Sequence, residues 1–252
     1  MSILCCLVLA IASAGATEIS FGDNSNYWPG WDNGSGDDDI DHLGIPDFTG
    51  GTAEVVNHNL DSITFNQAVL LSSLWGVISP GDLFIDSNND QTWDYVVDLT
   101  AWTESGSGNP VPGAGNYYIY SISLGLNDPN GYILSGTDNT DDWLGYNIRD
   151  NHPVAYGGDL DDPYGQVLFS GWGSLPDSEY TFNFSGLPDG GLVLEGNCTI
   201  GWMVNCANDV IYETMSATPE PATLFLLGSG LIGLGWFGRR RLGRVRSGTG
   251  LE

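Results

Sequence analysis

Four oxygen-bearing side chains are spaced along the sequence in the way that ligands of a metal ion often are. Asp86, Asn88 and Asp90 alternate in a stretch rich in Asp and Asn, and Asp94 follows four residues later. Calcium takes about six to eight oxygen ligands at ~2.3–2.6 Å, and alternation within a tight turn directs several side chains toward one point. The stretch is not an EF-hand loop, because Gln91 stands where that loop requires glycine. A calcium site and an ordinary solvated Asp/Asn turn therefore remain two open alternatives.

Other clusters of titratable residues give weaker signals. Three acidic clusters are expected to be solvated loops: Asp37–Asp41, Asp138–Asp142 and Asp159–Asp162. Three histidines are spaced too widely to predict a zinc site: His42, His58 and His152. The sequence has no nucleophile elbow, no Cys–His pairing and no phosphate-binding Gly-Lys motif, so we predict that the chain is not an enzyme.

Several tryptophans are candidates for ligand contact. Trp28, Trp31 and Trp102 lie in polar, glycine-rich surroundings, where indole rings are placed to stack on sugars. Trp93 and Trp202 follow strand patterns and are predicted to lie in the core. Together with the Asp86 turn, the first group suggests a calcium-dependent carbohydrate-binding module as one function.

The charge distribution excludes one class of partner. Between Thr17 and Thr218 there are 30 acidic residues against a single cation, Arg149, so that the formal charge of this stretch is −29. The chain contains no lysine. Because nucleic-acid binding depends on Lys and Arg replacing counterions at phosphates, we predict no nucleic-acid partner. The surface is suited to divalent cations or to solubility outside the cell.

The N-terminal segment has the features of an export signal. An apolar run, Ile3–Ala12, is followed by small residues and an Ala-x-Ala site at Ala14–Ala16. This pattern predicts a signal peptide over residues 1–16, with cleavage before Thr17. The basic residues that usually precede such a run are missing.

The C-terminal segment is predicted to cross a membrane. Ala222–Gly238 carries no charge and would span about 25 Å as a helix at ~1.5 Å per residue, close to a hydrocarbon core of ~30 Å. Arg239, Arg240 and Arg241 follow it and place the C-terminus on the cytoplasmic side. Two prolines precede it in Pro219-Glu220-Pro221, and they favour an extended backbone there.

These three parts in this order resemble the PEP-CTERM sorting signal of bacterial surface proteins. The residues that carry the resemblance are Pro219, Glu220, Pro221, Arg239, Arg240 and Arg241. The resemblance implies export and removal of the tail by exosortase, a membrane-embedded processing enzyme. Upstream, Trp202–Ile211 is similar to a segment that often precedes such tails, with Ala207 where that pattern has glycine.

Removal of the signal peptide would leave two cysteines, Cys198 and Cys206. Export to an oxidising compartment favours a disulfide between them. If the segment is one straight strand, eight residues at ~3.3 Å separate them by about 26 Å, whereas a bridge needs Cα atoms about 5.5 Å apart. A bend near Gly201 would allow the bridge, and both alternatives remain open.

The elements that carry these residues are predicted to be short strands. Aromatic and β-branched residues alternate with polar ones between clusters of Gly, Asn, Asp and Pro. The predicted strands are Ile63–Leu71, Leu83–Ile85, Trp93–Leu99, Tyr117–Leu126, Tyr180–Phe184, Leu192–Leu194 and Asn197–Val204. Gly106–Gly115 and Leu126–Thr140 are predicted to be turns. The pattern predicts an all-β fold, an antiparallel β-sandwich.

The chain is thus expected to have four parts: a signal peptide (1–16), a β-rich domain (17–216), a sorting tail (217–246) and a C-terminal extension (247–252). We expect a structural or adhesive protein of the bacterial cell surface or of the exopolysaccharide matrix, anchored transiently in the membrane. Exosortase is its expected processing partner, and polysaccharide is a further candidate. The alternative is the calcium-dependent carbohydrate-binding module.

Overall fold

The structure is a computed structural model that describes residues 15–31, 47–67, 80–99, 114–126, 133–135, 153–171, 179–204 and 209–216. All of them belong to one compact unit, Gly15–Ala217. The apolar runs assigned to the signal peptide and to the transmembrane helix lie outside these residues. Within the described ranges, no helix is long and apolar enough to cross a membrane.

Every regular element of the described chain is a β-strand. The strands are β1 (Ala16–Phe21), β2 (Phe48–Val56), β3 (Asn59–Gln67), β4 (Leu83–Asp86), β5 (Thr92–Asp98), β6 (Gly115–Gly125), β7 (Ile133–Ser135), β8 (Pro153–Tyr156), β9 (Gly165–Ser170), β10 (Glu179–Asn183), β11 (Leu192–Val193), β12 (Asn197–Met203) and β13 (Val210–Ser216). Every predicted strand overlaps an observed one, and all pairings are antiparallel. The all-β, antiparallel prediction is confirmed.

Two sheets account for these strands. The larger has the order β1-β2-β3-β10-β9-β6-β5-β4-β12-β13, with β11 paired to β3 outside this path. The smaller pairs β7 with β8. Because β7 lies inside the segment Leu126–Thr140, the prediction that this whole segment is a turn is wrong.

The large sheet differs from the predicted sandwich because its strands form one continuous ladder. It curls so far that its two end strands, β1 and β13, contact each other. Trp202 of β12 lies with its ring centroid 4.5 Å from that of Phe65 on β3 and 5.7 Å from that of Phe182 on β10, although these strands are distant in the sheet order. The right-handed twist of β-sheets lets a long sheet cover its own inner face in this way.

Side chains pack on both faces of the sheet. The first core lies inside the curl and contains Phe65, Phe182 and Trp202. The second core lies on the opposite face and contains Trp28, Phe84, Trp93, Val154 and Met203. Burial of a large apolar side chain stabilises a fold by about 1.5–3 kcal/mol. Two cores therefore fix the strands between them from both sides.

The alternation predicted for Asn197–Val204 is confirmed in β12. In β12, Ile200 and Trp202 face the first core, and Met203 faces the second. β4 follows the same rule, since Leu83 and Ile85 face the first core whereas Phe84 faces the second. Both faces of these strands are covered, so apolar side chains occur on both.

Candidate functional site

The Asp86 turn joins β4 to β5, and its first carboxylate is fully buried. Asp86 Oδ1 accepts hydrogen bonds from the amides of Asn88 (3.3 Å) and Asp90 (3.2 Å), and Oδ2 accepts one from the amide of Gln91 (3.0 Å). Burial raises the pKa of Asp86, and the backbone N–H donors act in the opposite direction. The carboxylate thus organises the turn that follows it.

The other predicted ligands serve the same turn. Asn88 Oδ1 accepts from the amide of Asp90 (2.9 Å), and Asp90 Oδ1 accepts from the amide of Thr92 (2.9 Å). Asp94 Oδ2 accepts from the amide (2.8 Å) and from the hydroxyl (2.6 Å) of Ser87. In the part of the chain that the structure describes, no three His, Cys, Asp or Glu side chains are grouped so as to hold a metal ion. The calcium site stays a prediction.

Cys198 on β12 is buried and has no disulfide partner among the described residues, and burial raises the pKa of its thiol. Its Sγ lies 3.9 Å from the carbonyl oxygen of Thr199. β12 pairs with β13 in unbroken register from Asn197 to Met203, so the strand continues through Gly201 without a bulge. Cys206 lies outside the described residues, and its bridge to Cys198 stays a prediction.

The prediction that Trp28 is available for sugars is wrong. Trp28 was expected to be available for sugars, but it is only 1% exposed and belongs to the second core. Trp31 is half-buried, and its indole N–H donates to the carbonyl of Leu126 (3.3 Å). Trp93 and Trp202 are core residues, as predicted. Trp102 lies outside the described residues.

The remaining predicted residues fall into two groups. Asp159, Asp161, Asp162 and His58 are exposed, as expected for solvated loops. Outside the described residues lie the sorting-signal residues, two acidic clusters and two histidines: Pro219, Glu220, Pro221, Arg239, Arg240, Arg241, Asp37–Asp41, Asp138–Asp142, His42 and His152.

A feature that the sequence did not predict is the Trp28 loop, residues 22–31, which follows β1. The Trp28 ring packs against Phe84 and Trp93, with centroid distances of 5.3 Å and 5.1 Å. It lies over Gly201, where an added Cβ would come within 2.5 Å of the ring. The amide of Trp31 donates to the carbonyl of Trp28 (3.0 Å) and closes the turn.

This loop and β13 form an open cavity of about 360 Å³, the Tyr27 cavity. Its lining residues carry hydroxyl, amide or apolar groups and no charge: Asn24, Ser25, Asn26, Tyr27, Pro29 and Tyr212. Asn24 is fixed by Glu213 of β13, because its backbone amide (2.9 Å) and its Nδ2 (3.0 Å) both donate to Glu213 Oε1.

Two buried acids were also missed. Asp82 accepts hydrogen bonds from the amide of Leu99 at Oδ1 and from the amide of Tyr156 at Oδ2, both at 2.9 Å. Asp209 accepts from the amides of Phe48 and Val210. Each directly precedes a strand that begins with apolar residues. An acid at such a position is the sequence feature that could have indicated its burial.

The comparisons with known proteins identify the C-terminal segment. Residues 217–241 match the PEP-CTERM protein-sorting motif, which confirms the resemblance. No curated protein and no solved structure is significantly similar to the chain.

Proposed function

We propose that this chain is a structural or adhesive protein of the bacterial cell surface or of the extracellular matrix, released from its membrane anchor by exosortase. The observation that carries the proposal is the PEP-CTERM motif at residues 217–241, which implies an exported protein targeted to that enzyme. The motif begins at Ala217, directly after Ser216, the last residue of β13. The processing signal thus follows the last strand of the β-rich unit directly in the sequence.

The charge and the packing of the body, defined as Thr17–Thr218, support a role outside the cell. The stretch from Thr17 to Thr218 has a formal charge of −29 and no lysine, so it stays soluble and repels polyanions. A curled sheet with a core on each face is a rigid scaffold. We propose a non-enzymatic role, since the charged side chains best buried here, Asp82, Asp86 and Asp209, bind backbone amides of the fold.

Processing provides the test. We expect mature protein from the producing cells to begin near Thr17 and to lack Ala222–Gly238, as read by intact-mass and terminal-peptide spectrometry. Replacing Pro219 and Pro221 with Ala should leave membrane insertion intact and abolish release, because the extended backbone is lost while the apolar span is kept.

The matched control replaces two exposed prolines of the body, Pro163 and Pro188, with Ala. This control should be released normally. Exported molecules that mostly retain Arg239–Arg241 would show a simple tail anchor, and the proposed processing would then be wrong.

A further inference from the structure

We propose that the Tyr27 cavity binds a neutral sugar unit of an extracellular glycan. The proposal rests on the proposed function, since it gives the surface protein a ligand. It differs from the carbohydrate module expected from the sequence, because it uses neither the Asp86 turn nor the indole of Trp28. Three features of the cavity support this ligand: a rigid loop, a fixed polar group and a lining without charged side chains.

The rigid loop presents Tyr27 and Pro29 on either side of an anchored residue. Trp28 between them is inserted into the second core and contacts Phe84, Trp93 and the backbone at Gly201. Tyr27 is 36% exposed, and its ring is therefore offered to solvent. Because the loop is held in place before any ligand arrives, binding does not have to order it.

The second feature of the cavity is a fixed polar group beside aromatic rings. Glu213 accepts both donors of Asn24, so that the direction of the Asn24 side-chain amide is set. Ser25 and Asn26 add further hydroxyl and amide groups, and Tyr212 adds a second phenol. Sugar rings offer hydroxyls at their edge and C–H groups on their face, which match amide groups and aromatic rings. The cavity volume of about 360 Å³ is within the ~300–1,000 Å³ range of small-molecule sites.

The third feature, the charge around the cavity, defines the class of sugar. The described ranges contain no lysine and no arginine, so none of their side chains can pair as a strong cation with a carboxylate or a sulfate. Two carboxylates are adjacent in sequence to lining residues, Asp23 beside Asn24 and Glu213 beside Tyr212, and Glu213 accepts two hydrogen bonds from Asn24. Acidic glycans would be repelled by the surrounding charge, and neutral glycans would not.

The test measures binding of mature protein from the producing cells to dextran, amylose, xylan and alginate, by affinity electrophoresis and calorimetry. We expect binding to at least one of the three neutral polysaccharides and none to alginate. Tyr27→Ala should weaken that binding at least tenfold, whereas Tyr27→Phe should keep most of it, because the ring face is retained. The matched control is Tyr118→Ala on β6, which removes another exposed tyrosine (48% exposed) outside the cavity.

Three results would each overturn the proposal: no binding to any neutral polysaccharide, equal binding by Tyr27→Ala, or an equal loss in Tyr118→Ala. Binding to alginate would overturn the charge argument. Since Tyr27 is exposed, the melting midpoint of Tyr27→Ala should match the parent, and this checks that the variant folds. A correctly processed protein that binds no glycan would refute the sugar site alone, whereas a retained tail would refute the proposed function alone.

Discussion

At the scale of single residues, the buried carboxylates show how backbone amides stabilise negative charge in this fold. Asp82 and Asp86 are buried in ranges that contain no lysine or arginine. Each binds backbone amides, which carry partial positive charge and are supplied by the fold itself. A charge buried without such partners would cost several kcal/mol. Backbone amides therefore help to stabilise both buried carboxylates.

Asp82→Asn tests this arrangement. Asn can offer an oxygen to only one of the two amides, of Leu99 and Tyr156, and turns an N–H donor toward the other. We expect a loss of about 1–3 kcal/mol in the free energy of unfolding, the usual cost of a buried donor left unpaired. Equilibrium urea unfolding measures it.

The matched control, Asp90→Asn, makes the same charge change at an exposed acid. Asp90 Oδ1 accepts a hydrogen bond from the amide of Thr92, and the Asn side chain keeps an oxygen that can accept it. It should change stability by no more than about 0.5 kcal/mol. If both variants lose the same free energy, net charge and not the Asp82 hydrogen bonds is responsible.

At the scale of elements, Gly201 of β12 leaves the space in which the Trp28 ring packs on this strand. Ala at this position would put its Cβ within 2.5–2.9 Å of three atoms of the Trp28 ring, which cannot flex away from it. We expect Gly201→Ala to destabilise the protein by about 1–3 kcal/mol, as overpacking does. Denaturant unfolding gives the energy, and a red shift of tryptophan fluorescence would report exposure of the loop.

Gly115→Ala on β6 is the control, because the nearest atom to its added Cβ is Tyr117 Cε2 at 3.8 Å, an ordinary contact. This variant should be neutral or slightly stabilised. A Gly201→Ala protein as stable as the Gly115→Ala protein would show that the loop does not depend on close packing over β12.

Strands with clear alternation could be predicted from the sequence, and so could the short apolar run Leu83–Ile85 that became β4, whereas β2 could not. Tyr180–Phe184 and Asn197–Val204 alternate apolar and polar side chains, and β10 and β12 lie there. β2 was missed because its Gly50 and Gly51 break the pattern: the register with β3 shifts between Phe48 and Gly51, and Gly50 has φ +91°. One-residue irregularities of this kind are set by pairing partners that sequence patterns do not reveal.

The candidate site was less predictable than the strands. The Asp/Asn spacing correctly located a turn at Asp86, but the carboxylate acceptors are directed at the backbone, and this direction depends on the path of the turn. Trp28 was assigned to the surface because its neighbours in sequence are polar. Its burial depends on Gly201, far away in the chain, which leaves space for the ring. Contacts at such distances are not encoded in local composition.

At the scale of the whole molecule, net charge should control stability. A body with a formal charge of −29 repels itself, and salt screens that repulsion. We expect the melting midpoint to rise with sodium chloride, by roughly 2–4 °C for each kcal/mol of repulsion relieved. A midpoint independent of salt would show that the carboxylates are too far apart to interact.

The same melting curves test the calcium prediction at Asp86, Asn88, Asp90 and Asp94. If the site binds calcium, the midpoint in calcium should exceed that in sodium at matched ionic strength. Equal midpoints would leave only an Asp/Asn turn whose oxygens accept backbone hydrogen bonds. An additional gain in calcium, removed by Asp86→Ala with Asp90→Ala, would establish the predicted metal site instead.

The position of β13 has a mechanical consequence for the protein before processing, while its C-terminal tail still anchors it. Tyr212, which lines the cavity, and Ser216, the last residue before the sorting motif, lie on this one strand, about 13 Å apart at ~3.3 Å per residue. Tension between a ligand in the cavity and the tether would run along these few residues, which pair with β12 from Gly201 to Asn197. Met215 of this segment lies in the first core and Tyr212 packs against the second, so both cores would hold β13 in place while it carries the load.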